Sequence, residues 1–155
     1  MRIEPLRGHE RTGFASGAPA LDRYFRSQAG RDAAKKLAAV FVLVLDDGRI
    51  GGFYCLAPAT VLLPGLVGGA RTDSRYPELK AALLPRLGVD RREQGRGLGR
   101  ALLADARTRL RAQAPDAVAL IAAAPDDTAR GFYTRAGFAA FPDQPQRLFQ
   151  ALAAA

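Results

Sequence analysis

Apolar residues change their spacing several times along the chain, and each change predicts an element. Residues 2–6 predict a short strand. Pro19 suits the first turn of a helix, where its missing N–H has no partner to lose. That helix runs through ALDRYFRSQAGRDAAKK, with Leu21, Tyr24, Phe25 and Gln28 on one face and Gly30 as its break or kink. LAAVFVLVL (37–45) is a strand rich in β-branched residues, and IGGFYCLAP (50–58) returns beside it. DDGR between them, with Asp47-Gly48, is a hairpin turn. Residues 59–77, punctuated by Pro64, Gly65, Gly68, Gly69 and Pro77, predict an irregular connection with at most one short strand. AALLPRLGV (81–89) reads as a strand, but Pro85 removes a ladder donor, so the strand is bulged or borders a gap in the sheet. From Leu98, apolar residues at 98, 101, 102, 106 and 110 trace a helix whose opposite face carries Arg100, Arg107 and Arg111. AVALIAAA (117–124) is a buried strand, DDTARGFYTRAGF a helix from about Asp126 stopped by Gly137, and RLFQAL a last strand. The order, roughly βα, ββ, loop, βα, βα, ββ, predicts a mixed sheet with helices on its faces.

A chain of 155 residues suits a single domain, 1–155, with one sizeable core. It contains no run of about 18 apolar residues, so no transmembrane span is expected. The opening MRIEPLRGHE lacks the apolar centre of a secretory signal. Cys55 is the single cysteine and sits in the apolar GGFYCLA, where it reads as a buried strand residue rather than a nucleophile. Together these features suit the cytoplasm, away from membranes. Charge adds more: 23 Lys and Arg against 15 acids leave a surplus of +8. Such a field draws polyanions. Lysine occurs only at positions 35, 36 and 80, so arginine supplies nearly all of the cation. Arginine and the many alanines also accumulate in genomes rich in G and C, so charge alone leaves nucleic-acid contact open.

QGRGLGRALLADAR (94–107) carries the candidate chemistry. It is no Walker loop, which needs G-x-x-x-x-G-K-[ST], and no G-x-G-x-x-G, because Arg100 or Leu102 stands where the last glycine belongs. The physics still favours an anion. A strand ends near Val89 and a helix begins near Gly97, and the first amides of a helix have no partner inside it. With the helix dipole they form an anion site, and glycines let a phosphate approach the backbone. Arg91, Arg92, Arg96 and Arg100 add positive charge. Read alone, the glycines fit equally a plain strand-to-helix turn with a solvated basic rim.

Gln94-x-x-Gly97-x-Gly99 matches the Q/R-x-x-G-x-G/A signature of the GCN5-related N-acetyltransferases, and downstream ARGFYTRAGF (129–138) resembles that family's A-x-x-F-Y-x-x-x-G-F. Two matches in order, separated by a helix and a strand, make a clear resemblance, and the elements from Val40 onward, with the first helix, can be laid on that fold. The resemblance implies an α/β (α+β) fold, with a mixed, mostly antiparallel central sheet splayed at strand four and flanked by helices. It implies acetyl-CoA as donor and no metal. Its pyrophosphate would lie on Gln94, Gly95, Arg96, Gly97, Leu98, Gly99 and Arg100. Its pantetheine arm would pair with strand four at Leu87 and Val89, with Gly88 and Pro85 compatible with the family's bulge there. An amide near Leu87 would polarise the thioester carbonyl.

Tyr133 corresponds to the tyrosine that often serves this family as general acid, and Phe132 beside it reads as a core aromatic near the cofactor. With a reference pKa of about 10, a tyrosine is protonated at neutral pH, and a departing thiolate, near 8.5, accepts a proton. Asp126 stands where the family often has an Asn near the cofactor. Asp caps a helix as well, but an ionised carboxylate cannot donate a hydrogen bond. No general base is evident. His9, the single histidine, reads as structural or solvated, and nothing singles out Glu78 or Glu93. An α-amine, with a pKa near 8, is neutral in roughly a tenth of molecules at pH 7, while a lysine amine near 10.4 is neutral in under about a thousandth. A site without a strong base suits the α-amine.

A narrower resemblance covers most of the chain. GFASGAPALDRYFRSQAGRDAAKKLAAVFVL, SRYPELKAALLPRLGVDRREQGRGLGRALLADA and PDQPQRLFQAL are similar to the tRNA-acetylating toxins of type II toxin–antitoxin modules. This implies aminoacyl-tRNA as acceptor, blocked translation, an antitoxin of ribbon-helix-helix type, and the dimer common among such relatives. Lys35, Lys36, Arg75 and Arg86 are the tRNA-contact candidates, although each also fits ordinary solvated charge. Two alternatives stand beside this reading: an acetyltransferase for a small-molecule or protein amine, and an inactive basic module that only binds RNA or a partner.

Overall fold

The computed structural model describes residues 1–62, 78–142 and 144–152. They group into two compact units, Met1–Ala57 with Arg86–Ala106, and Pro58–Pro85 with Arg107–Ala155. The strands follow the order β1 (Arg2–Pro5), β2 (Ala39–Val44), β3 (Ile50–Leu62), β4 (Glu78–Leu84), β6 (Ala119–Ala123), β8 (Gln144–Ala151) and β7 (Ala139–Phe141), with β5 (Leu87–Val89) paired to β3.

In the first unit, β1 (Arg2–Pro5), β2 (Ala39–Val44) and the start of β3 (Ile50–Leu62) form an antiparallel meander. The β2–β3 turn closes through Leu45 N–H to Arg49 O at 2.8 Å, and Gly48 supplies its positive φ of 89°. β5 (Leu87–Val89) lies antiparallel on β3. Helix α1 (Pro19–Ser27) starts on Pro19 and buries Tyr24 and Phe25, as the helical spacing predicts. Phe25 stacks on Phe53 with ring centroids 4.1 Å apart, and Phe14 meets both edge-on. The expected break at Gly30 falls instead at Gln28, which is exposed and caps both α1 and α2 (Ala29–Ala34). Arg11 explains the shift: its guanidinium takes Phe25 O at 2.8 Å and satisfies a terminal carbonyl of α1, while Gly30 sits inside α2 beneath that same guanidinium.

In the second unit, β4 (Glu78–Leu84) runs parallel to β6 (Ala119–Ala123). Then β8 (Gln144–Ala151) and β7 (Ala139–Phe141) add antiparallel. A parallel pair needs a long crossover, and the chain supplies α3 (Leu98–Gln113), which begins in the first unit and ends in the second. Leu98, Leu102, Leu103, Ala106 and Leu110 are its buried side, while Arg107, expected in solvent, is partly covered and donates to Gln150 Oε1 at 2.7 Å. Helix α4 (Asp127–Arg135) ends where Gly137 turns to φ 97°.

The predicted strand 81–89 is two strands, of which only the first lies beside β6. Pro85 has no N–H to donate, and there the chain leaves β6; β3, which borders β4 as well, is the partner that β5 keeps from Leu87. The three β3–β5 pairs run in unbroken register, so the splay comes from the loss of β6 as a neighbour after Leu84 and not from a bulge inside β5. Strand β3 also outlasts its predicted end at residue 58, reaching Leu62.

Candidate functional site

The glycine-rich segment is held by side chains on its outer side. Asp90, 1% exposed, caps a 3-10 turn over Arg91–Glu93 and accepts from Arg92 N–H at 3.0 Å and from Ala15 N–H at 3.2 Å. Burial pushes its carboxyl up, but the bonds from Arg92 and Ala15 outweigh burial and leave it below the usual carboxylate range. Arg91 N–H returns a bond to Ala15 O at 2.9 Å. Glu93, also buried, accepts from Arg49 at 3.2 Å and Arg96 at 3.0 Å. That double engagement makes Glu93 a brace and not the free base it could have been. Gln94 spends its side-chain amide on Ser16 O at 2.9 Å and Val89 O at 3.0 Å. Of the four arginines expected around an anion, Arg92 and Arg96 are therefore tied to carboxylates, and Arg91 and Arg100 stay exposed.

With these side chains spent on the frame, the inner surface is backbone. Gly95 and Gly97 have φ of 82° and 79°, a region that L side chains rarely adopt, and a Cβ at either would meet nothing within 4 Å. The glycines are thus demanded by the path of the chain, and open space lies over them. The first turn of α3 carries Arg100 and no acid, the reverse of what a helix N-terminus favours. A bound anion relieves that arrangement, so Gly95–Gly99 fit a pyrophosphate.

The second backbone feature is the outer edge of β5. Cys55 N–H donates to Arg86 O at 3.0 Å and Asp90 N–H to Gly51 O at 2.9 Å. In an antiparallel ladder these bonds make 55/86, 53/88 and 51/90 the mutually bonded pairs. The N–H and C=O groups of Leu87 and Val89 therefore point away from β3, and among the described residues β5 pairs with no other strand. Val89 O takes the Gln94 amide, and among the described residues the Leu87 groups and the Val89 N–H meet no strand on that side, where an extended chain could add. Buried Gly88 keeps this strand close to α1: a Cβ there would lie 2.8 Å from Leu21 Cδ2.

In the second unit Tyr133 is 3% exposed, beside half-buried Phe132 with ring centroids 5.2 Å apart. Burial raises its pKa above the ordinary tyrosine value, so the phenol stays protonated. Asp126 is the cap expected of it, accepting from Ala129 N–H at 2.8 Å. That bond occupies Oδ1, and the residue is exposed.

Other candidates separate by environment. Lys35 and Lys36 are exposed at the end of α2, where Lys36 turns to φ 58°. Arg86 is half-buried, its guanidinium 3.7 Å from the Tyr24 ring centroid. Arg75 lies outside the described residues. His9 bridges Arg7 N–H and Glu4, each at 3.0 Å, as a structural residue does. Cys55 is fully buried, and burial pushes its thiol up to about 11, which removes it as a nucleophile. Sequence reasoning missed Asp90 as a structural residue, although an Asp before a tight turn is a capping signal.

Residues 7–138 match the family model described as Acetyltransferase (GNAT) family. A tRNA-acetylating toxin of Mycobacterium tuberculosis is 41% identical over 140 residues, covering 88% of this chain and 82% of that protein. Two solved structures share the fold. One is a mutant of the toxin AtaT bound to the C-terminus of the antitoxin AtaR and acetyl-CoA (TM-score 0.82, 22% identity, 97% of this chain and 92% of that one). The other is AtaT complexed with acetyl-methionyl-tRNAfMet (TM-score 0.82, 22% identity, 97% and 94%). A family match across both compact units, joined to an identity of 41%, means that the protein belongs to the GNAT family of acetyltransferases.

Proposed function

We propose that the protein moves the acetyl group of acetyl-CoA to the α-amine of an aminoacyl-tRNA and so blocks translation. The observation that carries the reading is the pair of backbone surfaces, the Gly95–Gly99 turn and the open Leu87 and Val89 edge, together with the 41% identity to a tRNA-acetylating toxin. The turn receives the pyrophosphate, with amides from Gly95, Arg96, Gly97, Leu98, Gly99 and Arg100, while Gln94 holds the turn in shape. The pantetheine arm adds to β5 as a short strand, and the Leu87 N–H stabilises the oxyanion that forms when the amine attacks.

The reaction needs no enzyme nucleophile. The neutral amine attacks the thioester carbon, the C–N bond forms, and the C–S bond breaks. The thiolate gains its proton from Tyr133, and the phenolate left behind recovers one from the proton that the acetylated nitrogen releases, so one proton passes from nitrogen to sulfur overall. Tyr133 donates its hydroxyl hydrogen to the sulfur as negative charge builds there. Burial holds that phenol neutral, so its proton moves only as the C–S bond gives way. With Glu93 bound to two guanidinia, no described carboxylate is singled out as a base. An α-amine, partly neutral already, suits such a site better than a lysine. Asp126 acts as a helix cap and Phe132 as packing beside the phenol. Lys35, Lys36 and Arg86 are candidates to meet the tRNA backbone, with Arg75. The partner in the cell is an antitoxin, here taken to be of ribbon-helix-helix type, and the active form is a homodimer in the cytoplasm.

Cell-free translation tests this reading. The protein with acetyl-CoA is expected to stop synthesis, and Tyr133→Phe is expected to leave it running. Arrest by that variant at the same dose, or normal synthesis with the wild type, would overturn the proposal.

A further inference from the structure

On the first unit a cleft of about 510 Å³ opens between α1 and the residues that lead into the glycine turn. Ala15, Gly17, Asp22, Arg23, Arg26 and Arg91 line it. Its floor is rigid. Asp22, 6% exposed, accepts from Ser16 N–H at 2.8 Å, Ser16 Oγ at 2.6 Å and Gly17 N–H at 3.4 Å, so its charge is engaged by the loop. Arg26 donates Nε and Nη2 to Phe14 O at 3.1 and 2.7 Å, which fixes its plane and leaves Nη1 free to donate. Arg23 lies three residues earlier on the same helix, so two guanidinia sit one turn apart and repel. Arg91 faces them across the cleft from the 3-10 turn, its backbone tied to Ala15 O. The Arg23 and Arg91 side chains are exposed and bond to no described residue.

Three guanidinia around one saturated carboxylate leave a positive excess that the fold does not neutralise. Forked guanidinium donors suit phosphate oxygens, and a cleft this open admits a polymer and not only a small ion. We propose that this cleft binds backbone phosphates of the RNA acceptor, with Arg23 and Arg91 as contacts and Arg26 as the fixed donor between them. The proposal rests on the aminoacyl-tRNA reading above and deepens it: the anchoring cations become arginines of α1 and the pre-helix turn, beside the lysines of α2. The RNA would then touch Ala15, which is bonded to Asp90 and Arg91, so acceptor and donor loop share one frame.

The test is direct binding, free of turnover: anisotropy of labelled uncharged tRNA across a salt series, with acetyl-CoA affinity measured by calorimetry. Arg23→Gln and Arg91→Gln are each expected to weaken tRNA binding by roughly 3- to 10-fold and to flatten the log–log salt slope by about 0.9 per lost phosphate contact. Arg→Lys at either site should recover most of the loss. Arg31→Gln, which removes the same charge from the exposed part of α2, should change affinity by less than about twofold. Acetyl-CoA affinity should not move. Unchanged tRNA affinity and slope in both variants, or losses no greater than in Arg31→Gln, overturn the proposal. A loss confined to acetyl-CoA assigns the cleft to a coenzyme phosphate and also overturns it. Displacement of tRNA by poly-glutamate as readily as by RNA would show a site for acidic protein instead. A wild type that binds no tRNA, yet acetylates a small amine, overturns the functional reading itself, an outcome distinct from the others.

Discussion

The glycine turn and the Tyr133 helix illustrate two ways of building chemistry. Around Gly95 and Gly97 the proposed working groups are amides, and the side chains of Asp90, Arg92, Glu93 and Gln94 are spent on holding the chain in place. Around α4 the frame is ordinary helix, capped by Asp126, and the proposed chemistry rests on one buried hydroxyl. A site made of backbone fails when the path of the chain changes. A site made of one side chain fails when that group is removed and the fold stays.

Tyr133→Phe should break the second region most cleanly. Losing the proton donor is expected to lower kcat by about 10²- to 10⁴-fold. Acetyl-CoA affinity and thermal midpoint should stay near wild type, read by steady-state kinetics, calorimetry and melting. Gly52→Ala should break the first region through its support: a Cβ there would lie 2.8 Å from Leu102 Cδ1 and 2.9 Å from Gly88 O. Backbone cannot yield as a side-chain tip can, so a loss of about 1–3 kcal/mol is expected in denaturant melts. Gly97→Ala sharpens the contrast. The residue sits at φ 79°, so an alanine costs about 1–2 kcal/mol there or shifts the turn, and acetyl-CoA binding should fall while tRNA binding persists. The smallest effect belongs to Asp126. Replacement by Ala should cost about 1 kcal/mol of stability, and replacement by Asn close to nothing, because either Asp or Asn caps the Ala129 amide.

A pH profile separates the two regions further. The reactive amine must be neutral, so kcat/KM for an α-amine should rise about tenfold per pH unit below about 8 and then level off. Tyr133 adds no descending limb until well above pH 10, because burial raises its pKa and keeps the donating form. A climb continuing through pH 9.5 would point to a lysine-like acceptor.

What could be read from the sequence follows the same division. Backbone signals stood out: Pro19 opens α1, Gly48 closes the hairpin, and Gln94, Gly97 and Gly99 stand at the turn into α3. Tyr133 was visible through its motif. Long-range partnership was not. Nothing local says that Arg11 ends α1, that Glu93 belongs to Arg49 and Arg96, or that the run 81–89 parts from β6 at Pro85. The cleft of Arg23, Arg26 and Arg91 was hidden for that reason too, since residues 23 and 91 meet only in the fold. Arg86 reads in the sequence as a tRNA-contact candidate or a solvated charge, and nothing local says that its guanidinium lies on the Tyr24 ring, whose hydroxyl donates to Asp32 at 2.8 Å.

The most direct test is the chemical identity of the product. The protein is incubated with acetyl-CoA labelled in the acetyl group and with tRNAs charged separately with each amino acid, and the ester is then hydrolysed. The account predicts label recovered as an N-acetyl amino acid from at least one charged tRNA and none from uncharged tRNA. Label found on protein lysines or a small amine, with every charged tRNA left unlabelled, would contradict it.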